Sequence, residues 1–125
     1  DWYRSRGLGD VYKRQGRNTV IADNDVSSHA EINALRSASK ELNNFRLNGC
    51  SIYVTLEPCH MCAKAIVDAR LDMLVFAAKE PKTGSICSID NFLENKALNH
   101  SVKYKFGLSE DISANLLKDF FKQKR

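Results

Sequence analysis

The sequence predicts a single α/β domain, and three observations carry that expectation. The β-branched run Ser51-Ile52-Tyr53-Val54-Thr55 is followed by a helical segment from Pro58 to about Ala69 and then by the apolar run Leu74-Val75-Phe76-Ala77. Strand, helix and strand in that order make a unit whose strands lie parallel, with functional groups gathered at their carboxyl ends. Ahead of it, Ala30, Ala34, Leu35, Ala38 and Leu42 recur at helical spacing and supply a second helix to cover the sheet. Finally, 125 residues suffice for one hydrophobic core and not for two.

Composition narrows the class further. Hydrophobic residues at 43% and charged residues at 27% are ordinary globular values. No apolar run is long enough to cross a membrane and no apolar secretory segment is visible, so no membrane partner is expected. Four cysteines without a secretory signal are expected to be reduced, serving as ligands or core thiols in a cytoplasmic protein. A net charge of +4 permits a nucleic-acid partner without requiring one.

Taken in order, residues 1–15 show neither helical nor alternating apolar periodicity, and Gly7 and Gly9 break any helix. The run from Arg6 to Gln15 reads like translated adaptor sequence. The expectation is a non-native or disordered leader over 1–17 and a functional domain over 18–125 that is incomplete at its N-terminus. Thr19, Val20 and Ile21 favour a short strand, and Asp23-Asn24-Asp25 a turn. Ser27 or Ser28 can cap the helix that follows, which places His29 and Glu31 in its first turn. Residues 43–49 make a loop, 80–84 a turn-rich loop, and 86–93 a short helix or helical turn. Val102, Tyr104 and Phe106 alternate with Lys103 and Lys105, the pattern of a half-buried strand. A terminal helix is expected over about 109–124, with Leu116, Leu117, Phe120 and Phe121 on its apolar face and a basic end.

The chemistry lies in two short motifs, His29-Ala30-Glu31 and Pro58-Cys59-His60-Met61-Cys62. Proline suits a first helical position, so the two thiols, three residues apart, project from one side of a first turn. A helix N-terminus favours thiolate, the form that binds metal. By itself Cys-x-x-Cys fits a redox pair, half a structural zinc site, or two core thiols. Together with His-x-Glu upstream, it makes the general signature of zinc deaminases that act on bases. On that signature His29, Cys59 and Cys62 hold Zn2+ and leave one position open, as in catalytic zinc sites. Glu31, close to the metal but not bound to it, carries the proton. A closed structural site would need a fourth ligand from Cys50, Cys87, His60 or His100. Cys50 and Cys87 read as ordinary buried thiols.

With these residues in place the chain resembles the bacterial tRNA-specific adenosine deaminase family from about Asn18 to Arg125. The likeness rests on His29-Ala30-Glu31-Ile32-Asn33-Ala34-Leu35, Thr55-Leu56-Glu57-Pro58-Cys59-His60-Met61-Cys62, Lys82-Thr83-Gly84, Asn99-His100 and Leu117-Lys118-Asp119-Phe120-Phe121. The first two are shared with cytosine and guanine deaminases, and the remainder favours the tRNA branch. The resemblance implies a three-layer, cytidine-deaminase-like fold, a mixed sheet of order 2-1-3-4-5 flanked by helices. It also implies hydrolytic conversion of adenosine to inosine at the tRNA wobble position, and a homodimer. It gives Asn18 and the Ala30 backbone N–H to the flipped base, and Glu80, Lys82 and Thr83 to the anticodon backbone. Phe121 and Lys122, with their neighbours, fall to the anticodon loop. Deamination of free guanine, cytosine or nucleosides is the alternative. The family's first helix and first strand are expected to be missing here, leaving the edge of the strand at 51–55 unpaired.

Overall fold

The computed structural model describes residues 2–5 and 12–107, with the backbone alone at 2–5 and 12–15. Strands β1 (Trp2–Ser5), β2 (Tyr12–Gln15), β3 (Cys50–Leu56), β4 (Met73–Ala78) and β5 (Lys103–Phe106) form one mixed sheet in the order β2-β1-β3-β4-β5. β3, β4 and β5 run parallel, whereas β1 is antiparallel to both of its neighbours. Among the described residues the helices are α1 (Val20–Asp23), α2 (Ala30–Leu42) and α3 (His60–Asp68), with a 3-10 turn at Phe92–Glu94.

Burial follows the sequence periods. Ala30, Ala34, Leu35 and Ala38 form the buried stripe of α2, and Cys62, Ala63, Ile66 and Val67 that of α3. Cys50, Ile52 and Val54 alternate inward along β3. Leu74, Val75 and Phe76 are consecutively buried in β4, as expected of a parallel strand covered on both faces. Leu47, Ile52, Ile66, Leu71, Leu74, Phe76 and Ile86 are among the largest fully enclosed side chains of the core. α2 ends at Asn43, which takes the left-handed conformation with φ 50°, and the N–H groups of Asn43 and Asn44 return to the carbonyls of Lys40 and Ser39.

The sheet corrects the expectation of an unpaired edge beside β3. Trp2–Ser5 pairs with β3 from Trp2 opposite Tyr53 to Ser5 opposite Cys50, and so occupies the place expected to be empty. Residues 1–15 gave no periodic signal because pairing along a sheet uses backbone N–H and C=O groups, which side-chain patterning does not reveal. From β2 the chain passes directly under α2. A Cβ on Gly16 would stand 2.2 Å from the Ala30 carbonyl oxygen and 2.5 Å from the Ala34 nitrogen, so only glycine allows this approach.

Three local expectations also change. Residues 20–23 form a helical turn where a strand was expected. The Asn18 side-chain oxygen accepts the Val20 N–H at 3.1 Å, the Thr19 hydroxyl donates to Asp23 at 2.6 Å, and Ile21 is left 94% exposed with no sheet to bury it. Local side-chain bonds have outweighed β-propensity. The N-cap of α2 is His29 and not a serine, while Ser28 is buried. The helical turn expected over 86–93 is a 3-10 turn shifted to Phe92–Glu94. Cys50 is buried, as expected, but Cys87 is only half-buried. The terminal helix, including Phe121 and Lys122, lies outside the described residues.

Candidate active site

Two helix starts meet beyond the carboxyl end of β3. His29 is the N-cap of α2 and Cys59 the N-cap of α3, both with extended backbone (φ −70°, ψ 158° and φ −77°, ψ 176°). A side chain in that position ordinarily folds back to accept a helix N–H. Neither does so, and both are free to face a common point. Cys62 comes one turn further along α3 and is fully buried. His29 Nδ1 stands 3.7 Å from Cys59 Sγ and 3.5 Å from Cys62 Sγ, and the three ligand atoms lie within 4.8 Å of one another.

These separations fit zinc. Bonds of about 2.3 Å to sulfur and about 2.05 Å to nitrogen at tetrahedral angles require S···N of about 3.6 Å. Both observed distances lie within about 0.1 Å of that value. A metal at His29 Nδ1 leaves the ring proton on Nε2. The donor set of two sulfurs and one imidazole is that of zinc, and the paired helix N-termini favour the anionic thiolates it needs. Without a cation the Cys62 thiol is driven strongly upward in pKa, by burial first and then by the charge of Glu31 and by Cys59. That coupling places the half-buried Glu31 carboxylate beside Cys62, at the edge of the three-ligand cluster.

The other possible ligands are engaged elsewhere. His60 Nε2 bonds Asp90, and its ring meets Phe92 edge-on. His100 Nε2 contacts the Leu71 carbonyl oxygen at 2.7 Å. Cys50 belongs to the core cluster and Cys87 packs against it. Among the described residues no fourth His, Cys, Asp or Glu joins the group.

Of the residues expected to meet substrate, Ala30 is buried at the start of α2, and Asn18 is exposed on the strap that leads into α1. That strap is tied to α2 by Asn33, whose side-chain amide donates to the Arg17 carbonyl at 2.7 Å and to the Thr19 hydroxyl at 2.8 Å. Glu80, Lys82 and Thr83 share one loop, with Glu80 Oε1 accepting the Lys82 N–H at 3.1 Å. Lys82 and Thr83 are exposed.

One residue that motif reading passed over organises this region. Glu57 is 3% exposed, and its carboxylate accepts N–H groups from Glu80 (3.2 Å), Ile86 (2.9 Å), Cys87 (2.7 Å) and Ser88 (2.9 Å), together with the Ser88 hydroxyl. Burial alone would raise its pKa, but the bonds from Cys87, Ser88 and Ile86 outweigh burial and hold it at about 2. Gly84 lies against it, where a Cβ would come within 2.4 Å of the carboxyl carbon. The available signal was its place in the run Thr55-Leu56-Glu57-Pro58-Cys59, directly ahead of the Cys59 turn.

Comparison with known proteins agrees with this geometry. The sequence profile of the MafB19-like deaminase family matches residues 8–125. A tRNA-specific adenosine deaminase of Agrobacterium fabrum is 43% identical over 117 residues, covering 94% of this chain and 76% of the relative. The corresponding protein of Haemophilus influenzae is 40% identical over 111 residues, and the chain spans 89% of itself but 64% of that relative's length. A solved structure from a study of A-to-I editing by tRNA:A34 deaminases at the wobble position of transfer RNA superposes with a TM-score of 0.74 at 36% identity, covering 85% of this chain and 81% of the other.

Proposed function

The chain belongs to the MafB19-like deaminase family, alongside tRNA-specific adenosine deaminases, and from that premise we propose that it hydrolytically deaminates adenosine to inosine at the wobble position of tRNA. The observation that carries deamination is the three-ligand cluster of His29, Cys59 and Cys62 at two helix N-termini, with Glu31 coupled to Cys62. What supports tRNA over a free base is the likeness to tRNA-specific adenosine deaminases. Zinc, when bound there, supplies a water acidic enough to attack at neutral pH. His29, Cys59 and Cys62 hold and orient the metal. Glu31 would accept one proton of the attacking water and deliver it to the ring nitrogen next to the reacting carbon, then carry the proton of the newly added hydroxyl to the amine, which leaves as ammonia as the carbonyl forms.

Asn18 and the Ala30 N–H orient the base, and Glu80, Lys82 and Thr83 follow the anticodon backbone. Phe121 and Lys122 lean on the loop, where unstacked bases offer faces for aromatic contact. The groups that carry this chemistry run from 18 to 125, and the strands Trp2–Ser5 and Tyr12–Gln15 ahead of them extend the sheet. A tRNA substrate implies a cytoplasmic homodimer of the family's type. Among the described residues no helix is long and apolar enough to cross a membrane.

The test is incubation of the zinc-loaded protein with an arginine tRNA anticodon stem-loop, followed by nucleoside analysis. Inosine at the wobble position is the expected product. Turnover of free guanine, cytosine or adenosine with the stem-loop untouched would overturn the reading in favour of a free-base or nucleoside deaminase.

A further inference from the structure

Glu57 is a buried carboxylate with no visible part in the chemistry. Among the described residues no lysine or arginine pairs with it, and a lone buried anion is costly unless its hydrogen bonds are complete. They are complete here, and all come from one loop. Oε2 collects the consecutive N–H groups of Ile86, Cys87 and Ser88, a nest of backbone donors around one anion. Oε1 collects the Glu80 N–H and the Ser88 hydroxyl. The two oxygens thus clamp both ends of 80–88, while the backbone of Glu57 is fixed to the Ala78 carbonyl at 2.9 Å and leads through Pro58 to Cys59. The Ser85 N–H closes the arrangement on the Pro58 carbonyl at 2.9 Å.

We infer that Glu57 is a positioning residue: it locks the loop bearing Lys82 and Thr83 in register with the Cys59 turn, so that RNA backbone and zinc site are presented at one fixed offset. The inference rests on the functional reading above. It gives the clamp a direction of failure. Glutamine has one acceptor oxygen where the loop needs two. With that oxygen turned to Ile86, Cys87 and Ser88, its NH2 faces the Glu80 N–H, donor against donor, and the limb carrying Lys82 and Thr83 is released while 86–88 stays held. Ser88→Ala removes only the hydroxyl on Oε1 and is the milder probe.

The experiment compares wild type, Glu57→Gln and Ser88→Ala in zinc-loaded protein, reading metal content, amide exchange of residues 80–83, and KM and kcat for the anticodon stem-loop. Expected are one zinc per chain in all three, faster exchange at Glu80 in Glu57→Gln but not in Ser88→Ala, and KM raised about tenfold in Glu57→Gln with kcat within about twofold. Lys82→Ala should cost less in the Glu57→Gln background than in wild type. Unchanged exchange at Glu80 in Glu57→Gln, or an additive Lys82→Ala effect, overturns the inference. Loss of zinc or a fall in kcat alone also overturns it, since Glu57 would then support the metal turn and not the loop. If wild type leaves the stem-loop unmodified, the functional reading fails on that measurement, whereas exchange still reports whether the clamp exists.

Discussion

Glu31 stands two residues after His29, a spacing at which side chains of a regular helix do not share a face. The conflict disappears because His29 is the N-cap, outside the helical geometry, and its ring is free to turn toward α3. Glu31 then lies beside the cluster, and the proposed function makes it a base and not a ligand. Glu31→Ala is expected to lower turnover by on the order of 10²–10⁴-fold, the usual worth of a general acid–base. Zinc measured by elemental analysis should stay at one per chain. Loss of the metal would make Glu31 a ligand and require a different assignment.

At the level of elements, the site is two helix N-termini brought together by a strand and a strap. β3 delivers Cys59 by running straight into Pro58, and Gly16 allows the strap after β2 to pass against α2 close to Ala30. Gly16→Ala sets a methyl against backbone atoms that cannot move aside, so it should cost about 2 kcal/mol or more and lower Tm by roughly 5–10 °C. A melt unchanged within about 1 °C would mean that the strap is not held as described. The helices α2 and α3 were legible because an apolar stripe repeats over several turns. α1 was not, since in four residues the hydrogen bonds of Asn18 and Thr19 weigh more than the β-propensity of Val20 and Ile21.

For the molecule as a whole, acid stability should be coupled to the join between the sheet and the loop at 80–88. The folded protein holds Glu57 at about 2, below the ordinary glutamate value of 4.5, because backbone and hydroxyl donors overcome burial. A depressed folded-state pKa contributes stability that is fully present above about 4.5 and is lost as pH falls toward 2. Urea midpoints measured from pH 6 to pH 2.5 should therefore drop below about pH 4.5, and Glu57→Gln should flatten that part of the curve. An identical acid limb in the variant would assign the loss to other carboxylates.

The grouping of His29, Cys59 and Cys62 was readable from the sequence alone, because metal ligation restricts residue type and spacing. The strand, helix and strand between 50 and 78 were readable because β3 is rich in β-branched residues, α3 carries an apolar stripe at helical spacing, and β4 is a short unbroken apolar run. Three features needed the tertiary structure. β1 fills the place beside β3 through backbone pairing that leaves no side-chain pattern. His29 caps α2 and thereby shares a site with Glu31. Glu57 gathers a loop that begins more than twenty residues later in the chain. Each depends on hydrogen bonds between distant segments, and a sequence records only which donors and acceptors exist, not which of them folding brings within reach.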